Sequence, residues 1–517
     1  MKHASAILLA FFLASAVFAQ LAPGPVVQKG QGFPLIVDFN RDGVDDLVQD
    51  KTVILSDGTA PVDVHDLGIP AAENVVGVLD ANGDHIPDLL TMQKPIYDPL
   101  GNPYGRFMYR VYLGDGSGHF TQGLPAYADG GPPYIADVDG DGKDDLVVWK
   151  AIFEPTWKHE IGADLAVLRS RGDGTFESLP SVRIPGTPQM DIECRIATGD
   201  VDHDGIPDLV LRTGYDLVIL HGEGGGRVRV DSRYMPLTLA WQGWATRLAD
   251  IDGDGNLDVV MTGQRLIRVL FGDGHGNFPR MAVAPLNQVH PVIGQLPPET
   301  PSPDTLIQPR NITIGHFTRP DRNEIAAGTG EGDIVVFGWE NGALKEVSRT
   351  QTEFWLVEVQ AGHFSRSSSL TDLYAMGSMI WGDPMPRPRI FNGTAGSAPA
   401  IVTQMPARRR TTAPPAALPT RLLVKTHADC FADTSTHFTF PRDGVFGHAE
   451  ANQIKAEAVF DVDGTIYLRL TIPGLTYPVL STLREAADGV FTSTDGSAFI
   501  PCGGVGAVPM TVTATRE

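Results

Sequence analysis

The chain has 517 residues and carries 62 acidic against 40 basic side chains, a formal charge of −22, which is the wrong sign for a nucleic-acid partner and suits cations. Hydrophobic residues make up 42%, too many for a disordered chain, while 57 glycines and 40 prolines favour short strands and tight turns over long helices. The length exceeds one ordinary domain, so a large repeat domain with an added module is expected.

At the N-terminus, "MKHASAILLAFFLASAVFAQ" sets Lys2 ahead of an apolar run from Ala6 to Val17 and small residues ending at Ala19. This layout predicts a signal peptide over residues 1–19, cleaved after Ala19, and hence a secreted or periplasmic protein. No cysteine follows the run, which argues against a lipid anchor, and no other segment reaches about 18 apolar residues, so no membrane span is expected.

An acidic loop then recurs ahead of an apolar run. "DFNRDGVDDLV" begins at Asp38, "DANGDHIPDLL" at Asp80, "DVDGDGKDDLV" at Asp137, "DVDHDGIPDLV" at Asp200 and "DIDGDGNLDVV" at Asp250. Two further stretches keep the frame and lose most of the acids: one aligns His316, Thr318, Pro320 and Glu324, the other keeps Gly362, Phe364 and, one residue late, Asp372. Between the loops come strands ending in Gly-rich hairpins, such as "VYLGDGSGHF" at 111–120 and "RVLFGDGHGNF" at 268–278, where Gly and Asp supply the positive φ of tight turns. Each repeat thus holds four antiparallel strands, and seven repeats predict an all-β, seven-bladed β-propeller over residues 24–395.

The loop pattern D-x-[DN]-x-D-[GH]-x-x-D is an oxygen donor set for a hard cation, with side chains at positions 1, 3 and 5, a carbonyl at position 7 and a carboxylate at position 9. The candidate ligands are Asp38, Asn40, Asp42, Val44 and Asp46 in the first loop, and Asp80, Asn82, Asp84, Ile86 and Asp88 in the second. In the third they are Asp137, Asp139, Asp141, Lys143 and Asp145, in the fourth Asp200, Asp202, Asp204, Ile206 and Asp208, and in the fifth Asp250, Asp252, Asp254, Asn256 and Asp258. Position 6 needs positive φ, which Gly43, Gly142, Gly205 and Gly255 meet freely and His85 tolerates. Oxygen-only ligands select Ca²⁺ or Mg²⁺, and flexible loops favour Ca²⁺, so about five structural Ca²⁺ sites are expected. The third, fourth and fifth loops are the strongest sites, because Asn40 and Asn82 lower the charge of the other two.

These loops, with the hairpins, resemble the FG-GAP or VCBS-type repeat of integrin α-subunit propellers and of many secreted bacterial proteins. The resemblance implies a metal-bearing scaffold that interacts with an extracellular protein or glycan through a loop-lined face away from the metal loops. A polysaccharide lyase is the alternative, since some lyases resemble this architecture. No nucleophile elbow, zinc-helix motif or phosphate loop is present, and no catalytic residue is assigned.

Other motifs read as structure. Arg171, Gly172 and Asp173 spell RGD, but Gly172 and Gly174 align with Gly116 and Gly118 of the repeat hairpin. Asn311 and Asn392 open glycosylation sequons, and Trp149, Trp157, Trp241, Trp244, Trp339, Trp355 and Trp381 suit packing between repeats more than sugar stacking. Residues 396–420, rich in Pro and Ala with Arg408, Arg409 and Arg410, read as a linker, and residues 421–517 as a β-sandwich-like domain. Cys194 reads as a buried small hydrophobe, whether Cys430 and Cys502 pair is left open, and a monomer is expected.

Overall fold

The computed structural model describes residues 22–26, 34–393 and 421–517 apart from internal stretches, the longest of which are 186–195, 235–244, 287–310 and 379–388. The signal peptide, the linker, Cys194, Cys430, Trp157, Trp241, Trp244 and Trp381 lie outside the described residues. Among those described there is no helix, and none therefore long and apolar enough to cross a membrane.

Among the described residues up to 393 the strands assemble into seven four- or five-stranded sheets in chain order, with a short ribbon of Ile96–Tyr97 and Pro103–Tyr104 beside them. The fourth shows the plan: Ile196–Gly199, Asp208–Arg212, Leu217–Gly222 and Val228–Tyr234 pair antiparallel in sequence order. The acidic loop joins its first strand to its second, and a Gly-rich hairpin joins its third to its fourth. The first, second, fifth and sixth sheets repeat this order, and the third adds Val182–Pro185 beside Glu160–Ser170. The seventh is completed from the other end of the chain, because Ala22–Val26 pairs with Arg389–Asn392 outside Asp372–Ser378 and Trp355–Gly362.

Second strands are buried on both faces, as with Leu209, Val210 and Leu211, which explains their unbroken apolar runs. One hydrophobic cluster fills each gap between successive sheets. Leu89 and Tyr112 meet Val53 and Leu55 between the first two, Leu209 and Leu220 meet Val147 and Leu165 between the third and fourth, and Ile325 and Phe337 meet Val269 and Phe271 between the fifth and sixth. A further cluster sets Tyr374 and Ile390 of the seventh sheet against Leu47 of the first. Trp149 and Trp339 both pack in these gaps, Trp339 with its ring 4.7 Å from that of Phe271.

Residues 421–517 form one nine-stranded sheet with a core of its own, including Phe438, Phe440, Leu468 and Phe491. The strands of the expected β-sandwich-like domain share one hydrogen-bonded sheet. Phe431–Thr439 and Phe446–Ala451 lie at opposite ends of its strand order. The alternating burial of Arg421–Ala428 is that of a strand with one face inward and one in water.

Candidate metal centre

The first residue of each second strand is the acid at loop position 9, and it is wholly buried in all five acidic loops. Its two oxygens take two main-chain amides. In the fifth loop the Ile251 N–H donates to Asp258 Oδ2 at 2.8 Å, and the Gly272 N–H, at the end of the third strand, donates to Oδ1 at 3.0 Å. Asp46, Asp88, Asp145 and Asp208 repeat both bonds. Asp372 makes them too, to Phe364 and Gly393, across a loop one residue longer. In the sixth sheet Glu324 takes the Thr318 amide and hydroxyl. In the five acidic loops and at Asp372 this acid is therefore a clasp holding the loop to the third strand, whereas Glu324 ties only its own loop to the second strand.

Burial raises these carboxyls despite the amides that favour the ionised form, to about 6 in Asp46, Asp88 and Asp258 and about 7 in Asp145. Burial is also the main cause of the upward shifts of Asp208 and Asp372.

The acid at position 1 caps the loop. Asp250 accepts from Gly253 at 2.7 Å and from Gly255 at 3.0 Å, and the other four loops repeat the Oδ2 bond from position 6. Position 6 has positive φ throughout, including 60° at His85, as its spacing predicts. Position 4 does as well, with Arg41 and His203 at 60° beside Gly83, Gly140 and Gly253, a second left-handed turn that Arg and His conceal in sequence.

Position 3 separates the loops into two groups. Asp139, Asp202 and Asp252 each face a basic side chain carried by a later strand or hairpin: Arg169 Nη1 at 3.9 Å, His221 Nδ1 at 2.8 Å and Arg280 Nη2 at 2.7 Å. Where position 3 is Asn40 or Asn82, the residues matching Arg169 and His221 in the strand are Leu55 and Leu113. None of these basic residues was legible as part of a loop, since each lies 19 to 30 residues beyond its partner.

Donor atoms converge in three loops. Asp137, Asp139 and Asp145 gather within 4.8 Å of one another, as do Asp200 with Asp202 and Asp204, and Asp250 with Asp252 and Asp254. A fourth group joins Asp202 and Asp208 to His221. The fit to a cation is plainest in the fifth loop, where Asp252 Oδ1 is buried without a hydrogen-bond partner while Oδ2 takes Arg280. A buried carboxylate oxygen without a donor costs stability unless a cation supplies its partner. In the third loop Lys143 Nζ lies 2.6 Å from Asp141 Oδ2.

The RGD segment is a hairpin. Gly172 and Gly174 both have φ of 78°, and the Arg171 amide donates to the Thr175 carbonyl at 3.0 Å. The Asn311 side chain both donates to and accepts from the Val359 backbone, at 2.7 and 3.0 Å, so it is used in joining the sixth and seventh sheets.

No curated protein sequence matches the chain. Among solved structures, an Agrocybe aegerita lectin described as recognising non-reducing terminal N-acetylglucosamine is similar at 16% identity and a TM-score of 0.37, with 61% of this chain and 80% of that one covered. A periplasmic gluconolactonase of Pseudomonas aeruginosa aligns at 16% identity and a TM-score of 0.31, covering 62% and 96%. A Lactobacillus plantarum protein aligns at 12% and 0.34, covering 82% and 98%. Likenesses of that strength assign neither ligand nor activity. The model of the FG-GAP-like repeat matches residues 80–148 and 200–261, which span the second, third, fourth and fifth acidic loops. The chain carries FG-GAP-like repeats.

Proposed function

We propose that the protein is a secreted, Ca²⁺-stabilised, seven-bladed β-propeller that binds an extracellular protein or glycan. In this reading residues 1–19 are removed on export, residues 24–395 form the propeller, and residues 421–517 form a second β domain beyond a linker. The seven sheets in series support closure, since the cluster between the seventh and first is of the same kind as those between chain neighbours.

The observation that carries the metal reading is Asp252 Oδ1, buried and unpartnered beside Asp250 and Asp254. Ca²⁺ would supply positive charge to oxygen ligands at positions 1, 3 and 5 and fix the loop, while the position 9 acid holds it to the sheet. A scaffold role leaves recognition to loops elsewhere on the blades. The test is an array of glycans and extracellular proteins probed with the full chain, with Ca²⁺ or with chelator. Saturable retention without product, lost in chelator, is expected; turnover of a bound polysaccharide would replace this reading with that of an enzyme.

A further inference from the structure

We propose that the fourth loop is a mixed nitrogen and oxygen site that takes a first-row transition metal such as Zn²⁺, with His221, Asp202 and Asp208 as ligands. The proposal rests on the reading of the loops as cation sites and departs from it in the metal selected.

His221 is the penultimate residue of Leu217–Gly222 and is only 8% exposed. Its Nδ1 lies 2.8 Å from Asp202 Oδ2 and 3.3 Å from Asp208 Oδ1. Zinc bonds to imidazole nitrogen and carboxylate oxygen run about 2.0–2.2 Å, so ligand atoms at tetrahedral or octahedral angles stand roughly 2.8–3.6 Å apart. The two separations here have that size, and the three donor atoms are mutually close.

The same strand position holds Leu55, Leu113, Arg169 and Phe271 in the other acidic repeats, none of which donates to a metal. Arg169 offers only a fixed charge to Asp139 from 3.9 Å, whereas a neutral imidazole offers a lone pair. A nitrogen ligand among carboxylates moves preference from Ca²⁺ toward metals that favour imidazole, zinc among them.

The neighbouring sheet holds the ring in place. Gly276, in the fifth-sheet hairpin, packs so closely that a Cβ there would stand 3.0 Å from His221 Cε1 and 3.2 Å from Nε2. Its amide donates to the Val201 carbonyl at 3.0 Å, tying that hairpin to the fourth loop. The imidazole is thus oriented before any ion arrives, as a metal ligand requires.

The full chain, stripped and then loaded with Co²⁺ or Zn²⁺ in excess Ca²⁺, tests the assignment by metal analysis, the visible absorption of Co²⁺ and X-ray absorption at the zinc edge. Wild type is expected to retain a single tightly held equivalent with a nitrogen scatterer, and His221→Leu to lose it while keeping its calcium. Asp202→Asn, which keeps the side chain's shape, is expected to weaken Zn²⁺ at least tenfold. Failure of wild type to retain zinc, or retention of the equivalent by a folded His221→Leu protein, would overturn the proposal. Calcium uptake without zinc sinks this inference alone, and zinc uptake without calcium sinks the calcium reading alone.

Discussion

Asp45 and His363 are 318 residues apart and joined by two hydrogen bonds. The Asp45 amide donates to the His363 carbonyl at 2.7 Å, and the His363 amide donates to Asp45 Oδ2 at 2.6 Å. The same reciprocal pair links Asp144 to Asp80 and Thr371 to His316. Position 8 of one loop thus grips position 1 of the loop before it, and the first sheet follows the seventh as the third follows the second. Pro87 and Pro207, at position 8 of the second and fourth loops, have no amide to give.

Replacing Asp45 by Ala removes a charged acceptor from the join between the first and last sheets. A loss of about 1.5–3 kcal/mol is expected, with a similar loss for Asp144→Ala. Chemical denaturation of both variants measures it, and an unchanged Asp45→Ala midpoint would deny that the join matters.

Asp258→Ala is expected to cost more, because it strands the Ile251 and Gly272 amides inside the protein. Two buried unpaired donors cost about 1–3 kcal/mol each, and Asn, which restores one acceptor, should recover part of the loss. Thermal melts of the Ala and Asn variants side by side test that order.

The raised clasp carboxyls set a pH dependence for the metal-free protein. Between the usual value of 3.8 and the folded values of about 6 to 7, the folded state holds protons that the unfolded state has released. Stability is therefore greatest near the acid end of that window and falls as pH rises through it. Bound cations favour the ionised loops and should flatten or reverse the slope. A chelated protein whose stability rises from pH 4 to 7 would contradict the buried clasp.

Chelator is expected to lower the melting temperature, since the ion binds only the folded loop. Asp252→Asn should reproduce part of that drop and weaken Ca²⁺ at one site by about tenfold or more, read by calorimetric titration. An identical melt with and without excess chelator would end the calcium assignment.

The acidic loop could be read directly from the chain because its needs are local. Alternating oxygen side chains, a corner with positive φ and the apolar run behind it all lie within eleven consecutive residues, as in "DIDGDGNLDVV". The recurrence of that unit implied seven four-stranded sheets, and burial of the second strand on both faces accounts for its unbroken apolar run.

What no local pattern contains is which residue meets which across a gap. Ala22–Val26 completes the seventh sheet through main-chain bonds that carry no side-chain signature. His221 and Arg280 reach Asp202 and Asp252 because a hairpin register places them there, and a one-residue slip would turn each to the other face. Composition and spacing by themselves determined the repeat and its donor oxygens; tertiary structure decided which acids clasp strands, which face a basic side chain, and which oxygen is left buried for an ion.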